Sequence, residues 1–452
     1  MTARRVLAAM ILIGSLGCGS DDDGGSGGSA LSCPVVVADA DCDRSRRPFV
    51  FVHGTFGSGD NFAHVARLLG SNGYCQDNII AVEYNSLGDS PGTDGEIDAA
   101  IDAILADTGF SQVDLAGHSQ GTRHCAEYLN SDAAHRAKVA NYINFSGSPD
   151  IGDVATLSVS SERDIGNTPR HASGSNVTIV TLEDEDHFAV AASRRAFIEL
   201  YRYLVGEEPE YTEVQCGDTL VTVEGIAESF ADNIPSTGTI EIREVGDDPR
   251  HAGEPVFVVS PDEDGRFGPF QLRRDAYYEF KGFDADGELL GYQYFTQFKR
   301  SNRLVRLLSA SPNPAIAGAS TDLVVRDPAH TALIARWDGG GFRHDLGANL
   351  VIDGAEVLTS ENAGDDAMAT AALDGGVVGL FMYDADLDGQ TDLGLADSAP
   401  FLSFTDVFMD TAEPRFIEVS FTAGSEDPAV AGQTLRIPNW PSDEALLLMM
   451  FQ

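Results

Sequence analysis

A Gly-x-Ser-x-Gly pentapeptide at residues 117–121 constrains the fold of this chain more than any other feature. Its central residue, Ser119, follows an apolar run at residues 113–116 and precedes residues that favour a helix. This order is typical of a nucleophile elbow, in which two glycines allow a sharp turn that holds the serine in a strained conformation. A second match at residues 24–28 lies in a linker without flanking elements. The pattern at 117–121 therefore predicts a serine nucleophile exposed at a strand end.

The segment at residues 33–208 alternates strand-like and helix-like stretches, which predicts one catalytic domain. Repeated β-α-β units imply a mostly parallel sheet with helices on both faces. The predicted strands are residues 48–53, 79–84, 113–116, 139–145, 156–160 and 177–182, and the predicted helices are 60–70, 96–107 and 188–205.

The helical periodicity fades after residue 208, and short alternating strands appear between Asp-Gly turn signals. This change predicts all-β material in the rest of the chain. Two prolines, Pro312 and Pro314, indicate a boundary near residue 310. We therefore expect a β-sandwich domain at 212–309 and a second β-sandwich or barrel at 310–452.

The first 18 residues have the features of a targeting segment. Two arginines precede an apolar run at residues 6–16, which is too short to span a bilayer as a mature helix. The segment resembles a bacterial lipoprotein signal, which implies that Cys18 is lipidated and becomes the N-terminus. Ser15 stands where such signals usually have leucine, so cleavage by the ordinary signal peptidase is the alternative. We expect an exported protein, either secreted or anchored to the cell-envelope membrane through Cys18, with residues 19–32 as a tether.

The net charge limits the partners that this chain can bind, and its cysteine count limits the disulfides that it can form. A formal net charge of -42 argues against nucleic-acid binding, which needs basic patches. Five cysteines follow Cys18, so an exported chain can form disulfides with at least one thiol left over. We expect a bridge between Cys33 and Cys42, and we expect Cys125 to be buried as a small hydrophobic residue. No cysteine spacing resembles a zinc site.

A serine hydroxyl is a poor nucleophile and needs a base within hydrogen-bond reach. His187 is the predicted base because it follows the strand at 177–182 and opens the last helix of the domain. That position places it on the same rim of the sheet as the serine. His171, in a polar loop, is the alternative.

The acid behind the base is the hardest group to assign. In α/β hydrolases the chain order is serine, acid, histidine. Asp164 follows the predicted strand at 156–160 and satisfies this order, so it is the predicted acid. Asp150 and Asp186 are the competing carboxylates.

The oxyanion that forms during ester cleavage needs two backbone N–H donors. The sequence predicts that these belong to Gln120, directly after the nucleophile, and to Thr55, in the loop after the first strand. His53 and His118 are expected to have structural roles, and His53 is expected to shape the loop by hydrogen bonding.

Three segments carry a resemblance to known proteins: residues 49–54, the elbow at 117–121, and Asp186-His187. They resemble bacterial and archaeal lipases of the α/β-hydrolase superfamily, especially archaeal long-chain lipases with a β-rich C-terminal region. Further similarity lies at residues 381–392 and 437–440. The resemblance implies carboxylic-ester hydrolysis, no required cofactor, and a β-rich region that helps to bind acyl chains or lipid. In those archaeal lipases the acid occupies the position of Ser146, so we expect it to have moved to Asp164.

The segment at residues 147–155 is too short to form the lid helices that lipases often carry. We therefore expect an α/β-hydrolase fold without a large lid insertion, followed by all-β C-terminal domains. The pocket is then either open to water, which favours short or polymeric esters, or roofed by the β-domains, which favours long acyl chains.

An acidic loop near the C-terminus has the spacing of a calcium site in its first half. Carboxylates alternate at Asp384, Asp386 and Asp388, a glycine follows, and Asp392 comes next. The twelfth position is Leu395, so the bidentate glutamate of an EF-hand is missing. The loop is either a solvated acidic turn or a structural calcium site.

These features together predict a serine carboxylic-ester hydrolase, a lipase or esterase that acts through an acyl-enzyme on lipid or other acyl esters. An acyltransferase or polyester depolymerase would use the same three residues. A non-catalytic cell-surface binding lipoprotein is the alternative from another class.

Overall fold

The computed structural model describes residues 31–87, 92–250, 253–363, 376–424 and 432–452. The predicted signal at 1–18, with Cys18, and most of the tether at 19–32 lie outside the described residues. The first part of the chain contains, in order, β1 (Phe49–Val52), α1 (Ala63–Ser71), β2 (Ile79–Val82), α2 (Thr93–Thr108), β3 (Val113–His118), α3 (Gln120–Ser131), α4 (Ala133–Ala137), β4 (Val139–Phe145), β5 (Thr156–Ser161), β6 (Val177–Leu182), α5 (Ala189–Ala192) and α6 (Arg194–Val205).

The second part, residues 212–452, is here called the β-region because strands dominate it. It contains, in order, β7 (Leu220–Ser229), β8 (Thr239–Glu244), β9 (Phe257–Val259), β10 (Arg266–Arg273), β11 (Tyr278–Phe283), β12 (Leu289–Phe295), β13 (Asn302–Ser309), α7 (Pro314–Ala317), β14 (Ala332–Trp337), β15 (Asn349–Ile352), β16 (Ala355–Glu356), α8 (Ser360–Ala363), β17 (Gly379–Tyr383), β18 (Leu395–Ala399), β19 (Leu402–Asp406), β20 (Phe416–Thr422), β21 (Gln433–Pro438) and β22 (Leu446–Phe451).

The first part is built on a six-stranded sheet in the order β2-β1-β3-β4-β5-β6, with every neighbouring pair parallel. Strand β1 shows why its sequence is apolar throughout. Phe49 and Phe51 enter one buried cluster together with α1 and α6, whereas Val50 and Val52 enter a second cluster with α2 and α3. Both faces of the sheet are therefore covered, which confirms the predicted α/β architecture.

The predicted helix at 188–205 is wrong in one respect, because the structure divides it into α5 and α6. Ser193 lies between them with an extended backbone, and its hydroxyl accepts a hydrogen bond of 3.2 Å from the Ala196 N–H. A serine that caps a new helix in this way competes with continuation of the old one. The apolar periodicity continues across the break, so periodicity alone did not reveal it.

The β-region contains three sheets, of three, four and nine strands among the described residues. The nine-stranded sheet has the order β18-β19-β17-β14-β22-β12-β11-β8-β9. The last strand, β22, pairs in parallel with β14 on one side and β12 on the other. One sheet thus continues across residue 310, and the division into two β-domains at that point stays a prediction.

Ion pairs join the β-region to the first part of the chain. Arg67 on α1 pairs with Asp338 at 2.6 Å, and both side chains are almost fully buried. Asp60 pairs with Arg336 of β14 at 2.9 Å. Because a buried charge without its partner is costly, these pairs favour a single relative placement of the two parts.

The predicted bridge between Cys33 and Cys42 is wrong. Cys33 is bonded to Cys216, and Cys42 is bonded to Cys75. The N-terminal segment runs beside residue 216, where the Val37 N–H donates to the Cys216 carbonyl at 2.9 Å, and this brings partners distant in sequence together. Cys125 is a free, buried thiol, as predicted. Among the described residues, the helices are too short or too polar to cross a bilayer.

Candidate active site

Ser119 lies at the turn between β3 and α3 with φ 50° and ψ -116°. A non-glycine residue rarely adopts a positive φ, so the strain indicates a position that the surrounding structure fixes. A Cβ on Gly121 would overlap the carbonyl oxygens of Val52 and His53, because the end of β1 packs directly against the start of α3. The glycine is required there, and the turn has the geometry expected of a nucleophile elbow.

Asp164 and His187, which come from different strand ends, are in contact. The distance from His187 Nδ1 to Asp164 Oδ1 is 2.6 Å, and the Asp164 side chain is fully buried. Asp164 also accepts hydrogen bonds from the Ser160 hydroxyl at 2.9 Å and the Ile165 N–H at 2.7 Å. Burial alone would raise the pKa of Asp164, but the hydrogen bond and charge of His187 hold that pKa below its usual value. The carboxylate is therefore ionised and orients the imidazole.

Ser119 and His187, the predicted nucleophile and base, lie on the same rim of the sheet. His118, the residue before Ser119, has its ring centroid 4.7 Å from that of His187, and its Nε2 lies 2.8 Å from the His187 carbonyl oxygen. Within the described ranges, no hydrogen bond joins the Ser119 hydroxyl to His187. A hydrogen bond between a serine and its base often shortens only when a substrate binds.

The structure does not bring the competing residues into this arrangement. Asp150 is exposed, and its carboxylate accepts the Gly152 N–H at 3.1 Å. Asp186 is buried, but its oxygens accept backbone N–H groups of the following helix and of the β-region. His171 contacts the hydroxyls of Ser158 at 3.2 Å and Thr181 at 3.0 Å.

The predicted oxyanion donors also meet. The Thr55 hydroxyl donates to the Gln120 side-chain oxygen at 2.8 Å, and neither backbone N–H donates a hydrogen bond to any described residue. A Cβ on Gly54 would lie 2.9 Å from the Ser119 Cβ, so this loop packs against Ser119. His53 Nδ1 lies 2.9 Å from the Gly54 carbonyl oxygen, and burial lowers the pKa of His53 to about 4. His53 is thus neutral and shapes the loop, as expected.

Residues 53–57, here called the oxyanion loop, are held by side chains of the β-region that sequence reasoning missed. Asn233 donates to the Gly57 carbonyl at 2.8 Å, and Arg306 donates to the Phe56 carbonyl at 3.3 Å and to Asn233 at 2.8 Å. Arg306 is itself buried against Glu228 at 2.7 Å. No local motif marks these residues, because their partners lie about 180 to 250 positions away.

A cavity of about 350 Å³, here called the interface cavity, lies between the first part of the chain and the β-region. Phe56 of the oxyanion loop and Phe188, next to His187, line it, and Phe401 packs on Phe188 with ring centroids 4.9 Å apart. The β-region contributes further apolar walls, including Phe230, Leu308, Ile334 and Leu446. The cavity wall is more apolar than polar, although charged side chains such as Asp60, Arg336 and Asp338 also line it. The β-region supplies most of the lining, and the cavity lies beside the candidate catalytic residues.

Three of the four carboxylates predicted to form a calcium site in the acidic loop lie close together. Asp384, Asp386 and Asp388 have carboxylate oxygens within 4.8 Å of one another. Asp392 is not in this group, and its carboxylate accepts the Gly394 N–H at 2.8 Å. Exposed acidic clusters are common without an ion, so three carboxylates do not establish calcium binding.

The parallel sheet, its two helical layers and the strained strand–turn–helix define an α/β-hydrolase fold. Comparison with family models agrees. A model of the alpha/beta hydrolase fold matches residues 47–154, and a lipase C-terminal domain matches residues 219–312. A further C-terminal domain model matches residues 320–452. The chain therefore combines a hydrolase fold with a lipase-like C-terminal region.

Solved structures that match part of this chain include Aspergillus fumigatus lipase B, at 14% identity and a TM-score of 0.28, with 39% of this chain and 57% of that lipase covered. An α/β serine hydrolase without a lid from Xanthomonas campestris matches at 19% identity and a TM-score of 0.25, covering 39% of this chain and 91% of that one. A Bacillus licheniformis lipase matches at 11% identity and a TM-score of 0.28, covering 55% and 92%.

Proposed function

We propose that this protein is a serine carboxylic-ester hydrolase of the lipase or esterase type. The contact of 2.6 Å between His187 and the buried Asp164, on the rim that carries the strained Ser119, is the observation that supports the proposal most strongly. An ionised acid that holds an imidazole in one tautomer beside a serine is the arrangement that acyl transfer needs.

In the proposed reaction, the Ser119 oxygen attacks the ester carbonyl while His187 Nε2 takes the hydroxyl proton. The backbone N–H groups of Thr55 and Gln120 stabilise the oxyanion, and each such donor contributes about 10²- to 10³-fold to turnover. His187 then gives the proton to the leaving alcohol. Water, activated by the same imidazole, hydrolyses the acyl-enzyme and restores the serine. The proposed chemistry uses no cofactor, and calcium at Asp384, Asp386 and Asp388 is not part of it.

The proposed substrates are lipids or other esters with long acyl chains. The interface cavity supports this, because more of its wall is apolar than polar, Phe56 of the oxyanion loop lines it, and it has the size of a small-molecule site. An acyl chain bound there would be removed from water, and this burial stabilises binding by about 25 cal/mol for each Å² of apolar surface. Hydrolysis of monomeric esters is the simplest use of these groups, whereas hydrolysis of a polyester or acyl transfer to an alcohol would use the same three residues.

We also propose that the protein acts outside the cytoplasm. The two disulfides fit an oxidising compartment. Attachment to a membrane through a lipid on Cys18 is proposed from the sequence of residues 1–18 alone, with secretion as the alternative.

Hydrolysis of p-nitrophenyl esters, from acetate to palmitate, tests the proposal. We expect turnover by the wild type to rise toward longer chains, and we expect Ser119→Ala to lose activity by roughly 10⁶-fold. Ser161→Ala, at the buried last residue of β5, is the matched control and should retain activity. Turnover by Ser119→Ala equal to that of the wild type would end the proposal.

A further inference from the structure

Residues 183–187, here called the histidine loop, lie between β6 and α5 and end in the proposed base. They pack against residues 339–345 of the β-region. We propose that Asp186, Gly341 and Arg343 position His187, so that the β-region places the base as well as roofing the interface cavity. This inference rests on the proposed function.

The Asp186 carboxylate joins the histidine loop to the β-region. It is fully buried. One of its oxygens accepts the N–H groups of Phe188 at 2.7 Å and Ala189 at 2.8 Å, which fixes the backbone directly after His187. The other oxygen accepts the Gly341 N–H at 2.9 Å. Movement of Gly341 is therefore transmitted through one rigid carboxylate to the backbone on both sides of the base.

Arg343 provides a second attachment. Its guanidinium is fully buried and donates to the Asp184 carbonyl at 3.1 Å. Asp345 holds that guanidinium with two bonds, of 2.9 and 2.7 Å. Arg163, next to the proposed acid, also pairs with Asp184 at 3.1 Å and with Asp345 at 3.5 Å. The β-region thus fixes the histidine loop at two points, one and three residues before His187.

Gly341 and Gly376 pack so closely against the Asp186 carboxylate that neither position has room for a side chain. A Cβ on Gly341 would lie 2.8 Å from Asp186 Oδ2, and a Cβ on Gly376 would lie 2.8 Å from Asp186 Cγ. A side chain at Gly341 must therefore displace the carboxylate and the loop that it anchors. Misplacement of a catalytic group by about 1 Å costs roughly 10²-fold in rate.

Gly341→Ala tests the inference, and Gly246→Ala is the matched control because a Cβ there meets no atom within 4 Å. The substrate is p-nitrophenyl acetate, whose acyl group is too short to need the interface cavity. We expect Gly341→Ala to lower kcat by about 10- to 100-fold with KM changed less than about twofold. The NMR signal of the His187 Nδ1 proton should shift in Gly341→Ala and remain in place in Gly246→Ala.

Asp186→Asn is the second variant and decides the question if Gly341→Ala does not fold. It keeps one acceptor for α5 but presents an amide donor to the Gly341 N–H, so we expect the same fall in kcat. A folded Gly341→Ala or Asp186→Asn with the kcat of the control, or with KM raised at unchanged kcat, would overturn the inference alone. A wild type that neither hydrolyses the ester nor reacts with a fluorophosphonate would overturn the proposed function and this inference with it.

Discussion

At the scale of single residues, the ionisation state of Asp164 determines which nitrogen of the His187 ring carries the proton. Its burial favours the neutral carboxyl, yet two hydrogen-bond donors and the His187 ring keep it ionised. An ionised partner fixes the imidazole proton on Nδ1 and leaves Nε2 free to accept the serine proton. The pairing follows from the order serine, acid, histidine in the sequence, and the structure brings the two residues together. Their catalytic roles stay predictions.

Asp164→Asn tests the role of the acid. The amide can donate to the imidazole and reverse its tautomer, so we expect kcat on p-nitrophenyl butyrate to fall by about 10⁴-fold. Asp150→Asn is the matched control because Asp150 is the exposed competitor and should leave kcat unchanged. A large loss in Asp150→Asn with little change in Asp164→Asn would reassign the acid.

At the scale of helices, strands and loops, the sequence predicts the features that depend on a local pattern and misses those that depend on distant residues. Strand β1 and helix α2 have local patterns and lie close to their predicted positions. The break at Ser193, the two disulfide pairings and the hold of Asn233 on the oxyanion loop were missed, because each depends on a capping geometry or a distant partner. The histidine loop belongs to the second group, since one oxygen of the buried Asp186 carboxylate has its partner, the Gly341 N–H, in the β-region.

The histidine loop also predicts a pH dependence of stability. Burial raises the pKa of Glu185 from 4.5 to about 7, although Arg195 at 3.8 Å lowers it. The folded state therefore binds a proton more tightly than the unfolded chain, and this contribution to the free energy of unfolding is lost as pH rises from about 4.5 to about 7. Glu185→Gln removes the penalty, so it should stabilise the protein at pH 8 by about 1 to 3 kcal/mol and have little effect at pH 4.

Urea unfolding at the two pH values measures this difference. Glu183→Gln, at an exposed glutamate in the same loop, is the control and should change stability at neither pH. A gain for Glu185→Gln that is larger at pH 4 than at pH 8 would show that the carboxyl is not the source of the effect.

At the scale of the whole molecule, the interface cavity forms only where the first part of the chain packs against the β-region, because both supply its lining. Phe56 and Phe188 come from the first part of the chain, whereas Leu308 and Phe401 come from the β-region. The sequence left open whether the pocket is open or roofed, because the answer depends on how two parts of the chain pack. It did predict the change from α/β to β material near residue 208, since that change is local.

Leu308→Trp tests the use of the interface cavity. The larger side chain fills space that a long acyl chain would occupy, so the ratio of kcat/KM for palmitate to that for acetate should fall about tenfold or more. Leu387→Trp, at an exposed leucine outside the cavity, is the control and should keep the wild-type ratio. An unchanged ratio in Leu308→Trp would place the acyl chain elsewhere.

The most direct measurement is peptide mapping by mass spectrometry after treatment of the folded protein with a fluorophosphonate. The reagent modifies only a serine that a neighbouring base activates. We predict one phosphonyl adduct, on Ser119, and its loss in Ser119→Ala. A folded wild-type protein without an adduct, or with the adduct on another serine, would contradict the central claim that Ser119 and His187 work as one catalytic unit.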